Sequence, residues 1–393
     1  MRTTPNHWQS LTSLLFIAVM GASILTLLPL WVGALSDAAV FNQQQIGWLA
    51  AADVMGIFAA TVSGLFWVRR IGWRLPTLAG LGVFFIANLL SLGQENFALL
   101  MITRVLAGLG CGTAYAIALA SLGDHRRPDF AFGLMVTAQV AFGTLGFFVV
   151  PGIIDSLGVA GFFHYLNGWL ILALVACAVC MPVSQKPTST SDVKSLLGLF
   201  NLNAVLVFSA VVIYYCGVSA VWAYLERMGV ALGLDGQAVG SLLGTGFAIS
   251  GLGSLAAPWV AQRLGKSLAY AGATLVQIAA MLLLLGDDMP LSVYGLYAGS
   301  TIVFQFFWSF AVPLLMDQFN KVDATGRLIV LCASAFKVGE VAGPPMAAAL
   351  INGNDYSGVI GLGAGCMLAS IALVLLVEAR TTKVALAPSA RHS

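Results

Sequence analysis

Twelve stretches of about twenty apolar residues, each closed by a turn signal, constrain this chain more than any other feature. A helix rises 1.5 Å per residue, so roughly 20 apolar residues cross the hydrocarbon core of a bilayer. The candidate spans are 11–34, 46–67, 75–92, 97–121, 131–153, 160–181, 202–224, 237–260, 268–286, 291–314, 328–351 and 356–377. Gly72, Pro76, Gly93, Pro128, Gly265, Asp287-Asp288 and Gly353-Asn354-Asp355 punctuate them. The apolar residues run on without strict alternation, so the segments read as helices and not as strands of a membrane barrel. Leu11 to Ala34 is too long for a signal-peptide core and no small-residue cleavage site follows it, so it reads as a retained first span. Charged residues make up 9% of 393, whereas a soluble domain carries roughly 25%. The 43 glycines suit helices that approach closely within lipid.

The basic residues fall on one side. Arg2, Arg69, Arg70, Arg74, Arg126, Arg127, Lys186, Lys194, Arg263, Lys266, Lys321, Arg327, Arg380, Lys383 and Arg391 lie on the side of the N-terminus, and only Arg227 lies on the other. Arg104 and Lys337 fall inside spans. Lys and Arg mark cytoplasmic loops, so both termini are expected to be cytoplasmic, in a cell inner membrane. No basic cluster interleaves with aromatics, so nucleic acid is not an expected partner.

Chemical motifs are sparse. Cys177 and Cys180 form a C-x-x-C inside the apolar run 170–181, with no neighbouring charge to activate a thiol, and read as buried thiols. Gly265-Lys266-Ser267 resembles the end of a nucleotide-binding loop, but Val260 stands where that loop needs glycine. His7, His125 and His392 lie in polar segments and His164 stands alone near a membrane edge. No metal cluster or nucleophilic triad can be assembled, so neither an enzyme nor a cofactor is expected.

An internal repeat sets the organisation. Ile46-Gly47-Trp48-Leu49 leading to Arg70-Ile71-Gly72 recurs 193 residues on as Val239-Gly240-Ser241-Leu242 leading to Arg263-Leu264-Gly265. Leu134, Val136, Ala141, Phe142 and Pro151 recur at an offset of 194 as Leu328, Val330, Ala335, Phe336 and Pro345. The second half starts with an odd-numbered span, so the repeat is parallel. The expected fold is therefore all-α and membrane-integral. It has a six-helix bundle over 1–181, a polar cytoplasmic linker over 182–197, and a second six-helix bundle with a tail over 198–393.

Twelve spans in two parallel halves joined by a short linker resemble the major facilitator superfamily. The loop Gly64 to Arg74 is similar to its signature G-x-L-a-D-R-x-G-R-R: Arg70-Ile71-Gly72-Trp73-Arg74 keeps R-x-G-x-R, but Val68 or Arg69 replaces the aspartate. Gln262-Arg263-Leu264-Gly265-Lys266 repeats the loop in the second half, again without an acid. Arg104 to Gly110 resembles the R-x-x-x-G motif of span four, found in proton-coupled members. Span five departs from the G-x-x-x-G-P of drug antiporters: Phe147 follows Gly146, and proline comes only at Pro151. The resemblance implies alternating access, a central cavity lined by spans one, four, seven and ten, and a gating role for Arg70, Gly72, Arg74, Arg263, Gly265 and Lys266.

Ionisable residues inside spans are costly, at roughly 2.5–3.5 kcal/mol for a helix centre, and so usually face a cavity or a partner. Asp53, Arg104, Lys337 and Glu340 are the candidates for substrate binding or proton coupling. Arg104, Gly108, Cys111 and Tyr115 share a face of span four. Arg104 alternatively cross-links helices, and Asp53 alternatively makes a helix–helix hydrogen bond. Lys337 and Glu340, three apart, can pair with each other. Tyr215 and Trp222 on span seven, and Tyr297, Gln305 and Trp308 on span ten, form aromatic and polar faces that suit either packing or substrate contact.

These residues together suggest a secondary transporter of a small organic solute, driven by protons and working as a monomer in the bilayer. A buried Arg104 favours an anionic or zwitterionic, partly aromatic substrate; efflux and organic-anion uptake both remain open. The rival from another class is a receptor or scaffold that kept a transporter fold without transporting, which would be expected to lose its internal charges.

Overall fold

The computed structural model describes residues 6–182, 201–285, 292–322 and 332–386. The expected linker and the Asp287-Asp288 turn lie almost wholly or wholly outside the described residues. Among the described residues thirteen α-helices follow in order: α1 Trp8–Thr26, α2 Leu28–Ala38, α3 Gln43–Trp67, α4 Arg74–Leu90, α5 Phe97–Gly123, α6 Pro128–Leu157 and α7 Val159–Cys180. After the undescribed segment come α8 Leu202–Ala231, α9 Gly236–Leu264, α10 Lys266–Leu282, α11 Val293–Val322, α12 Cys332–Ala348 and α13 Ser357–Leu386. Among the described residues, 10 helices are long and apolar enough to cross a membrane. The 17-residue α4 and α12 complete the twelve crossings, with α1 and α2 sharing the first.

That first crossing is broken, where a continuous span over 11–34 was expected. Leu27 leaves the helical region (φ −98°, ψ 16°), and α2 restarts with Pro29 in its first turn. Proline has no N–H to give an interior helical bond, but a first turn asks for none. Short polar side chains start four of the other described helices. Asn42 and Gln45 close a capping box on α3, while Asn96, Asn201 and Asp235 cap α5, α8 and α9 through backbone N–H groups. Each such cap is worth about 1 kcal/mol.

Small residues set how closely the helices pack. α5 lies against α3 so tightly that a Cβ on Gly108 would collide with the Asp53 carbonyl, and one on Gly112 would meet the Ile57 backbone. α12 meets α8 in the same manner, through Gly339 on Val212 and Gly343 on Cys216 and Ser219. Backbones brought this close gain packing that lipid tails cannot outcompete. Across the two halves of the chain, α3 packs on α12, α6 on α9 and α2 on α8.

The hydrogen bonds joining α1–α7 to α8–α13 among the described residues are unevenly placed along the membrane normal. Trp222 Nε1 donates to the Leu25 carbonyl at 3.0 Å near mid-helix. The rest lie toward the face opposite the termini: Gln44 Nε2 to the Pro345 carbonyl, Gln237 Nε2 to the Phe148 carbonyl, and Arg227 to Asp37.

Candidate functional site

A cavity of about 240 Å³ lies where the two halves meet, at the middle of the helices. Its walls come from α1, α6, α8, α9, α11 and α12. α8 contributes Tyr215, Ser219 and Trp222, spaced about one turn apart on one face; α11 contributes Phe304, Gln305 and Trp308. Phe247 from α9 stacks on Trp222, with ring centroids 6.3 Å apart and planes at 28°. Glu340 is the one carboxylate in the described lining, and its Oε2 accepts from Lys337 Nζ at 2.6 Å.

Five residues expected from the sequence thus come together at the cavity: Tyr215, Trp222, Gln305, Trp308 and Glu340. Lys337 stands just behind, tied to Glu340. Tyr297 is fully buried outside the cavity and donates its hydroxyl to the Leu225 carbonyl at 2.8 Å. Tyr115 packs against Gly21 of α1 and does not line the cavity either.

Arg104 is in a different place from the one the family resemblance implied. It is 0% exposed and is held entirely within α3, α4 and α5. Its Nη2 and Nε donate to the two Asp53 carboxylate oxygens at 2.6 and 2.9 Å, and its Nη1 donates to Asn88 Oδ1 at 2.8 Å and toward Ser91 Oγ at 3.4 Å. The guanidinium lies 5.0 Å from the Phe163 ring centroid. Bidentate carboxylate binding is the geometry a guanidinium favours, and it is already occupied by Asp53. Asn88 in turn donates to Asn167 at 2.9 Å, reaching α7. This network needs Gly108, because only a bare Cα lets α5 sit against the Asp53 backbone.

The loop residues separate into clusters on the face of the termini. Arg69 replaces the signature aspartate with a partner from further along the chain: it pairs with Asp124 and donates to the Ala120 carbonyl at the end of α5. Arg74 donates to the Ala178 carbonyl in the last turn of α7, where the helix dipole favours a cation. Arg70 and Gly72 are exposed. In the second half Lys266 pairs with Asp317 at 2.6 Å, Arg263 lies 4.0 Å over the Trp259 ring, and Gly265 ends α9 at φ +82°, a backbone that favours glycine.

Sequence reasoning missed several members. Gln139 and Phe247 line the cavity from α6 and α9; a glutamine in mid-span was the available signal for the first, and an unexceptional phenylalanine carried none for the second. Asp37 was passed over because it ends a span. It bonds Arg227, which also binds Glu226 through Nε and Nη2 (2.6 Å for Nη2 to Oε1). Glu226 itself rests on Gly33 of α2.

A helical membrane bundle with a cavity between its two halves is the architecture of a solute transporter, and the comparisons agree. Residues 207–392 match the family model described as Major Facilitator Superfamily. The chain is 27% identical over 326 residues to the uncharacterized MFS-type transporter YfhI of Bacillus subtilis (strain 168), covering 77% of each. It is 28% identical over 108 residues to the probable vesicular acetylcholine transporter-A of Danio rerio, covering 27% of this chain and 21% of that protein. A crystal structure of a mutant of the nucleoside transporter NupG shares the fold: TM-score 0.75 at 11% identity, over 94% of this chain and 99% of that one. The chain is therefore similar to major facilitator superfamily transporters, through a family model over its second half, and shares their fold as a multi-pass helical membrane protein.

Proposed function

We propose that the protein is a secondary active transporter that carries a small, partly aromatic organic solute through the central cavity by alternating access, driven by protons. The carrying observation is the cavity itself, whose walls come from both halves and combine aromatic faces with a single carboxylate. Residues 1–181 and 198–393 act as two bundles that rock about this cavity, with both termini in the cytoplasm of a cell whose inner membrane holds the protein as a monomer. Bonds between the halves toward the face opposite the termini support a state closed on that side. Glu340 is the proton-coupling group in this reading, since it touches both the cavity and Lys337. Arg104 and Asp53 hold the first bundle together and do not meet the substrate.

Reconstitution in liposomes, with a pH gradient imposed in either direction and a metabolite pool as the source, tests the reading and gives the direction. Gradient-driven accumulation of at least one solute is expected, and its absence under both gradients argues for a non-transporting protein. Glu340→Gln should abolish accumulation yet keep exchange of solute for solute. Wild-type accumulation in that variant would remove the coupling role from Glu340.

A further inference from the structure

Two polar atoms in the cavity wall stand without partners. Gln305 is 1% exposed. Its amide nitrogen faces the Thr301 carbonyl at 3.4 Å, which fixes the amide orientation, and its Oε1 has no hydrogen-bond partner. Trp308 Nε1, three residues on and on the same face of α11, is a buried donor with no partner. A buried polar atom left unpaired costs about 1–3 kcal/mol, so an acceptor and a donor without protein partners on one helix face favour a ligand that pairs with both. Most of the other polar side chains around the cavity are occupied. Ser219, Ser250, Ser254 and Thr26 donate to backbone carbonyls, and so does Gln139. Trp222 spends its N–H on the Leu25 carbonyl, which leaves only its ring face for a ligand.

Charge narrows the ligand further. Glu340 is the one charged group in the described lining, and Lys337 already neutralises it at 2.6 Å. A solute with net charge would leave that charge uncompensated in a medium of low dielectric, whereas a neutral one keeps the pair intact.

We propose that Gln305 and Trp308 are the recognition pair of the cavity, and that they take an uncharged, planar solute whose edge carries an N–H donor beside a carbonyl acceptor, as in an amide or a lactam. The N–H donates to Gln305 Oε1, the carbonyl accepts from Trp308 Nε1, and the ring of the solute lies against the faces of Trp222 and Phe247. This rests on the cavity being the transport site, and it leaves Glu340 free to serve the proton.

Three probes of one shape and different charge test it: benzamide, benzamidine (a cation) and benzoate (an anion). Binding to the purified full-length protein is measured by equilibrium dialysis of each radiolabelled probe. Benzamide should bind at least about tenfold more tightly than either charged analogue, the factor expected for one buried polar group left unpaired. N,N-dimethylbenzamide, which lacks the donor, should bind about tenfold more weakly than benzamide; this needs no altered protein. Gln305→Leu and Trp308→Phe should each weaken benzamide by about the same factor, while Ser156→Ala, exposed near the end of α6 and outside the cavity, leaves it unchanged. Preference for benzamidine or benzoate overturns the proposal, as does equal binding of the dimethyl compound. Failure of all the probes to bind up to their solubility limits also overturns it. The transport reading is then judged separately by the liposome assay with the metabolite pool.

Discussion

Asp53–Arg104 and Lys337–Glu340 are both ion pairs on membrane-spanning helices, and they are built differently. Asp53–Arg104 is sealed: both side chains are at most 1% exposed, the contact is bidentate, and Asn88 and Ser91 take up the remaining donor. Lys337–Glu340 is half-open: its side chains are 19% and 10% exposed, and the glutamate faces the cavity. A sealed pair with all its hydrogen bonds made tells helices where to sit. An accessible pair held through one carboxylate oxygen can be opened by a proton. Depth in the membrane does not separate the two; the supply of further partners does.

Breaking the sealed pair gives the largest expected effect. Arg104→Ala strands Asp53 as a buried, unpaired charge, which costs about 3–5 kcal/mol. It should show as a large fall in thermal midpoint and a loss of monodisperse protein. Asp53→Leu combined with Arg104→Met should regain most of that loss, because removing both charges removes the penalty. An unchanged midpoint in Arg104→Ala would mean that the network does not hold α3, α4 and α5 together.

Next in size is Gly108→Ala. The added methyl meets rigid backbone at Asp53, and overpacking of this kind costs about 1–3 kcal/mol. A midpoint equal to wild type would show that α5 can shift without disturbing the pair.

The half-open pair should respond in the opposite sense. Lys337→Met is expected to lower stability by less than the about 3–5 kcal/mol of a sealed pair, because Glu340 reaches the cavity and can take a proton, yet to abolish gradient-driven accumulation. A large loss of midpoint would place this pair in the same structural class as Asp53–Arg104.

Smallest of all is Asp37→Asn at the Arg227 bridge. Asp37 is 60% exposed on its side chain, so the loss of stability should be about 0.2–1 kcal/mol. Its informative readout is conformational. Releasing one bond between the halves on the face opposite the termini should raise the reactivity of a single cysteine at position 219 toward an impermeant reagent applied from that face. No change in labelling would remove the bridge from the gate.

Much of the site was legible because certain residues are anomalous in lipid. Charges at 53, 104, 337 and 340 and a glutamine at 305 stand out against an apolar background, since each needs a partner or a cavity. The pairing of Lys337 with Glu340 was readable from a separation of three on one helix. The Arg104–Asp53 contact was not readable, because the residues are 51 apart and only the crossing of α3 and α5 joins them. The same holds for Arg69 and Asp124: the signature aspartate is missing from its usual position, and its replacement comes from the end of another helix.

The sequence by itself determined the membrane class and the number of crossings, because a bilayer prices every apolar stretch locally, residue by residue. Only the tertiary structure decided which side of each helix meets the cavity. A helix that is apolar all round carries no periodic signal for its inward face, so Tyr215 and Trp222 look like Tyr115 and Tyr297 until the helices are packed. That packing depends on where glycine lets two backbones touch. At Gly108 it turned Arg104 toward Asp53 and away from the cavity, leaving Gln305, Trp308 and Glu340 to line it.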